Sequence, residues 1–95
     1  MKLVSVKRAT RPTKKYTAVF SDGQRQKSVS FGAAGYDDYT TSHDTAQRDR
    51  YRQRHAKDLL LRDPTKPGYL SYYLLWGPST SLQDNITAYK KRFNV

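Results

Sequence analysis

A chain of 95 residues with 18 Lys and Arg against eight Asp carries a formal charge of +10, and its mean hydropathy is −0.93. So short a chain makes one domain, which buries only about 60–65% of the surface its unfolded form exposes; the charge predicts attraction to polyanions or to an acidic protein surface. Cysteine is absent, which excludes disulfides, thiolate metal sites and thiol nucleophiles together. No apolar run approaches the ~20 residues of a membrane span, and the start MKLVSVKRATRP lacks the apolar core of a signal peptide. A soluble protein made in the cytosol is expected. The charge sits at the two ends: residues 1–27 and 64–95 are strongly basic, while the cations and aspartates of residues 28–63 cancel.

In chain order, KLVSV (2–6) reads as a short strand with Val4 and Val6 on one face. The basic link KRATRPTKK follows, where Pro12 argues against continuous structure. Residues 1–14 are therefore expected to be a basic strand or arm, and residues 15–95 a single small domain. Lys15–Phe20 and Gln24–Phe31 flank Asp22-Gly23, a dipeptide suited to a two-residue type I′ hairpin turn. Pairing Ser21 with Gln24 sets Tyr16 opposite Val29 and Ala18 opposite Lys27. That register places Tyr16, Ala18, Phe20, Val29 and Phe31 on one face. A lone hairpin is marginal in water, so this face is expected to pack on helices, with residues 2–6 as a third strand.

FGAAGYDDYT (31–40) reads as a tight connection, because no Lys-Ser/Thr follows its glycines as a phosphate loop requires. Asp37 and Asp38 are adjacent and point apart in an extended chain; they are expected to neutralise nearby arginines. Residues 44–60 read as a helix capped at Asp44 or Ser42, with Tyr51, His55 and Leu59 as a thin buried stripe. Arg48 with Arg52, and Arg50 with Arg54, form two basic rows. They suit a solvated helix or an arginine face against an acidic partner. Leu59, Leu60 and Leu61 form an apolar end before Pro64.

The stretch from Tyr69 to Phe93 holds the densest apolar material, and Gly77-Pro78 divides it into two helices. The first starts at Thr65 or Pro67. The second has a capping-box-like start at Ser81 and Asp84, a stripe of Leu82, Ile86, Tyr89 and Phe93, and Lys90, Lys91 and Arg92 in its last turn. The expected fold is α+β: a hairpin or three-stranded antiparallel sheet packed against about three helices. Its core candidates are Tyr16, Phe20, Val29, Phe31, Leu70, Leu74, Trp76, Leu82, Ile86, Tyr89 and Phe93.

No catalytic or metal-binding pattern is evident. The two histidines, His43 and His55, stand outside any HExxH, and no GxSxG surrounds Ser79 or Ser81. Neither an enzyme nor a cofactor or small-molecule substrate is expected. The basic ends and interleaved tyrosines suit single-stranded nucleic acid, though no helix-turn-helix, RNP-type or zinc-finger pattern is present.

At FGAAGYDDYT (31–40), RDRYRQRH (48–55), PGYLSYYLLWGPST (67–80) and ITAYKKRF (86–93) the chain resembles a family of small basic proteins encoded by large double-stranded DNA viruses of algae and their relatives. The likeness spans about residues 15–95. LLLRD at 59–63 and Gly77 depart from the family pattern. The resemblance implies a setting rather than a mechanism. A minor structural protein of the particle would be made in the host cytoplasm and bind other virion proteins through its basic arm and tyrosine-rich surface. The alternative is a protein that binds or packages DNA or RNA without sequence preference. Under both readings the expected contacts are Lys2, Lys7, Arg8, Arg11, Lys14 and Lys15, then Arg48, Arg50, Arg52, Arg54, Lys90, Lys91 and Arg92.

Overall fold

The computed structural model describes residues 1–95. Lys2–Arg8 (β1), Lys14–Ser21 (β2) and Gln26–Ala33 (β3) form an antiparallel sheet in that order. The basic segment is thus laid into the sheet as an edge strand. A single turn Tyr39–Ser42 (α1) and Thr45–His55 (α2) follow, then a 3₁₀ segment Ala56–Leu61. Pro67–Leu70 (α3) runs into a π-helical turn, Ser71–Leu75, before Leu82–Phe93 (α4). Strands first and helices after give the expected α+β architecture. No helix is long and apolar enough to cross a membrane.

The hairpin keeps the predicted faces but not the predicted register. Tyr16 pairs with Phe31, Ala18 with Val29 and Ser21 with Gln26, two residues along from the expected pairing. The Asp22 N–H donates to the Arg25 carbonyl (3.2 Å), so the two central residues are Gly23 and Gln24. Gly23 has φ +95° and Gln24 does not have a positive φ, as a type II′ turn with glycine first requires. Asp22 is displaced from the turn centre because its carboxylate accepts the N–H groups of Gln24 (2.9 Å) and Arg25 (2.7 Å) from the position before it. A slip of two residues leaves every side chain on its original face, so Ala18, Phe20, Val29 and Phe31 are buried as expected.

On β1 the expectation fails at Val4. A bulge between Leu3 and Ser5 leaves Val4 without a partner, while Leu3 pairs with Phe20 and Val6 with Ala18. One extra residue inverts the alternation, so Leu3 is buried at 3% exposure and Val4 is 60% exposed.

α2 starts at Asp44, whose carboxylate accepts the Gln47 N–H at 3.1 Å, but stops at His55 where a helix to residue 60 was expected. The chain tightens into the 3₁₀ segment there. At three residues per turn, consecutive side chains stand about 120° apart, so three leucines in a row cannot all face inward. Leu59 packs on the core, whereas Leu60 and Leu61 are 80% and 64% exposed.

The anchor also departs from two plain α-helices. The Trp76 N–H reaches back to the Ser71 carbonyl (3.1 Å), which makes the turn π-helical, and the widened end leaves other carbonyls for side chains. Arg52 donates to the carbonyls of Trp76 (2.7 Å) and Tyr72 (3.3 Å). Asn85, buried in α4, donates to those of Leu74 (3.0 Å) and Ser79 (2.8 Å) and accepts the Ser79 N–H (3.1 Å). These bonds hold the Gly77-Pro78 turn between the two halves. α4 itself is as expected, with Ser81 Oγ accepting the Asp84 N–H (3.2 Å) and Asn94 closing it at φ 54°.

Every predicted core residue lies in the core or packs against it, joined by Leu3, Ala18, Tyr39, Tyr69 and Leu75. Phe93 contacts Tyr89, Tyr73 and Tyr69 at ring-centre distances of 4.7, 5.1 and 5.6 Å. The tyrosine hydroxyls tie down the 3₁₀ segment and the link after it: Tyr69 donates to the Leu59 carbonyl and Tyr89 to that of Pro64 (2.5 Å).

Burial raises the phenol pKa of Tyr89 well above its ordinary value of 10.0 and raises that of Tyr51 too. The folded chain therefore keeps protons that the unfolded chain releases above pH 10. Stability, intact below that pH, should fall above it by up to about 1.4 kcal/mol per pH unit for each such phenol. Urea midpoints at about pH 8 and about pH 11 should differ clearly, and Tyr89→Phe should flatten the fall. Equal slopes in the two proteins would count against a protonated, buried Tyr89.

Candidate functional site

The acids of this chain are largely occupied by turns and helix caps. Asp22, Asp38, Asp44 and Asp63 each accept a backbone N–H two or three residues ahead. That reach suits a carboxylate one methylene from the backbone, a physical reason for aspartate rather than glutamate at half of the eight acidic positions. These bonds hold the carboxyl of Asp22 below its ordinary pKa, and the Thr65 hydroxyl and N–H do the same for Asp63. Few carboxylates are left to meet cations. Of the 18 Lys and Arg, only Lys15 and Arg48 have a carboxylate oxygen within 4.0 Å, and the Arg48–Asp49 pair is at the surface, worth about 0–1 kcal/mol.

The expected contact residues divide into groups. Arg8, at the end of β1, Arg11, in the turn, and Lys14, at the start of β2, line one recess of about 380 Å³ with Tyr16 and Tyr36. The Arg8 guanidinium stands 5.7 Å from the Tyr16 ring centre, and Tyr36 is 75% exposed at the tip of the 34–38 loop. Lys15 lines the recess too, together with Asp38, but is not free there. Its ammonium turns inward to Asp38 at 2.5 Å, with exposures of 14% and 2%, because β2 alternation points it away from Lys14. Asp38 also takes the N–H and hydroxyl of Thr40 (2.8 and 2.5 Å), and the Thr41 hydroxyl accepts the Asp38 N–H. Asp37 is exposed and accepts from Thr41 (3.2 Å). Neither aspartate meets an arginine, contrary to expectation.

At the other end of β1, the Lys2 ammonium donates to the Asn94 carbonyl (3.2 Å) and ties the strand to the end of α4. Lys7 is exposed on the same strand, and Lys90 and Lys91 face Val4 and Val6 across a groove of about 560 Å³. Arg48 and Arg52 of α2 meet Arg92 of α4 in a cleft of about 440 Å³, which divides the cluster expected at Lys90–Arg92. Arg50 is exposed, away from these recesses, and Arg54 lines an open groove with His55.

That groove, about 520 Å³ in volume, lies between β3, the 34–38 loop, α2 and the π-turn. His55 Nδ1 is 3.1 Å from Asp58 Oδ2, and the imidazole stacks on Tyr51 at 4.1 Å, which stacks on Trp76 at 4.4 Å. Asp38 also borders the groove, already bound to Lys15 and Thr40. The packing of His55 on its expected stripe accounts for its position.

Sequence reasoning named the cations but missed Tyr36, Tyr73 and Asn85. Tyr36 was legible only as one aromatic in a loop of small residues, and the burial of Asn85 had no signal in a stripe defined by apolar spacing.

Strands, helices and cationic recesses together define a small basic α+β domain. The chain belongs to the family described as "Family of unknown function (DUF5754)", whose model matches residues 4–55. That span runs from β1 to the end of α2, so it contains the whole of the Arg8, Arg11, Lys14 and Tyr36 recess and only part of the Arg48–Arg92 cleft. No curated protein and no solved structure matches the chain.

Proposed function

We propose that the chain is a non-catalytic binding module, a minor structural component of a virus particle, which uses the end of its sheet to hold acidic surfaces of neighbouring proteins. The observation that carries this reading is the gathering of Arg8, Arg11 and Lys14 beside Tyr16 and Tyr36, with no carboxylate paired to any of the three cations and the one carboxylate of the lining, Asp38, taken by Lys15. Tyrosine and arginine are the residues that protein interfaces favour. The likeness to small basic proteins of large algal DNA viruses supplies the setting, the particle being assembled from host-cytoplasm products.

A second reading has its own observation. An aromatic ring exposed at 75% beside three cations is also a stacking platform for single-stranded DNA or RNA, bound without sequence preference. One variant, Arg8→Gln/Arg11→Gln/Lys14→Gln, tests both. If the partner is a particle protein, the chain co-sediments with nuclease-treated particles and the variant does not. If the partner is nucleic acid, log K falls with log salt at a slope of about −0.7 per phosphate neutralised, and the variant flattens that slope by about two. Absence of the protein from purified particles would eliminate the first reading.

A further inference from the structure

The cleft between α2, the π-turn and α4 lies on elements that take no part in the sheet-end recess. We infer that it binds a compact, multiply charged phosphate group, as inorganic pyrophosphate or as the terminal phosphate of a small phosphorylated molecule. Its charged lining is Arg48, Arg52 and Arg92, its apolar wall includes Pro78, Ala88 and Tyr73, and no carboxylate lines it. Asp49, the partner of Arg48, lies outside the lining with its side chain 67% exposed. Three arginines thus line one recess with no carboxylate inside it, and only Arg48 has a carboxylate partner beyond it. Such a cluster is self-repelling until an anion enters.

Two of the three are set in place beforehand. Arg52 is half-buried, its Nη1 bound to the Trp76 and Tyr72 carbonyls and its guanidinium 4.1 Å from the Tyr72 ring centre. Those bonds occupy one amino group and leave Nε and Nη2 as donors. Arg92 lies 5.2 Å from the centre of the Tyr73 ring, and Arg52 lies 5.9 Å from the same centre, so the forks converge on one aromatic. Arg48 is one helical turn from Arg52 on the same face of α2, with its guanidinium 4.7 Å from the Tyr39 ring centre. Planar forks held by stacking match the oxygens of a phosphate bidentately. A group with about two or three negative charges inside a three-arginine recess is matched in charge more closely than a diester, which carries one charge per phosphate.

Isothermal titration with pyrophosphate at fixed ionic strength tests the inference. Binding should be saturable, raise the melting temperature and weaken as pH falls below about 6, where the anion takes up a proton and loses one negative charge while arginine stays charged. Arg92→Gln, at an exposed residue, should weaken binding by about tenfold or more, and Arg48→Gln should do so as a second variant. Arg50→Gln, outside the cleft, and the sheet-end triple variant should bind as wild type. A nucleoside triphosphate binding tighter than pyrophosphate would identify a nucleotide as the source of the phosphate; equal binding would identify the inorganic anion. The inference is overturned if pyrophosphate does not bind, if Arg50→Gln weakens it as much as Arg92→Gln, or if an oligonucleotide lacking terminal phosphate displaces it at equal phosphate concentration.

Discussion

Alanine at position 77 is expected to cost the domain about 3 kcal/mol or more, a large share of the roughly 5–15 kcal/mol that holds a domain of this kind together. A Cβ built on Gly77 would stand 2.1 Å from the Tyr73 carbonyl oxygen and 3.1 Å from the Asn85 carboxamide. Neither neighbour has room to retreat. Tyr73 lies in the π-turn, where Asn85 holds the next carbonyl, that of Leu74, and Arg52 holds those of Tyr72 and Trp76. Relief of the clash therefore means breaking bonds on both sides of the turn. In a domain of this size each kcal/mol is worth about 4–8 °C, so thermal unfolding followed by circular dichroism should show a fall of roughly 12–24 °C. Gly23→Ala is the contrast, because nothing lies within 4 Å of its Cβ and only its φ of +95° is strained, a cost of about 1–2 kcal/mol. A Gly77→Ala protein melting within a few degrees of wild type would mean that the turn does not run against the Tyr73 carbonyl.

Position 77 also shows where the sequence was legible and where it was not. Gly-Pro marked a break between two helices, and the break is there. That the glycine is demanded by a carbonyl four residues earlier follows from the π-turn, which no periodicity announces, since one wider turn changes the apolar spacing by less than the spacing varies anyway. The hairpin shows the same division. Alternation fixed the faces of β2 and β3 because the apolar side chains must share one side, whereas the register hung on which residue of Ser21-Asp22-Gly23-Gln24 sits at the turn centre. There the Asp22 carboxylate decided by capping two N–H groups. On β1 a single bulge exchanged Leu3 for Val4, an event that depends on the partner strand.

Among the cations, residue type was legible and destination was not. Lys14 and Lys15 are neighbours of identical chemistry and line the same recess, yet the first has no carboxylate partner and the second is bound to Asp38. Arg50 and Arg52 differ in the same way, since helical phase sends the first to solvent and the second onto the carbonyls of the π-turn. A net charge of +10 thus overstates what a partner meets at any one place, and the recesses state it better.

Asp38→Ala is expected to destabilise the fold by about 3–5 kcal/mol, because it leaves the Lys15 ammonium, 14% exposed, without its partner and removes the carboxylate half of the capping box that starts α1. Urea denaturation should show the loss, and a double-mutant cycle should locate it. Lys15→Met combined with Asp38→Asn should be less damaging than Asp38→Ala alone, since the pair is then replaced without stranding a charge; strictly additive costs would mean that the two side chains do not meet. The functional consequence runs against simple electrostatics. Asp38→Ala raises the net charge by one, so a partner attracted only by overall charge would bind more tightly. Yet Asp38 fastens the 34–38 loop to β2, and that loop carries Tyr36 over Arg8, Arg11 and Lys14. If the recess acts as a shaped surface, loosening the loop weakens binding to an acidic partner at fixed salt, under conditions where the variant remains folded. Tighter binding by the folded variant would reduce the surface to its charge and remove Tyr36 from any part in recognition.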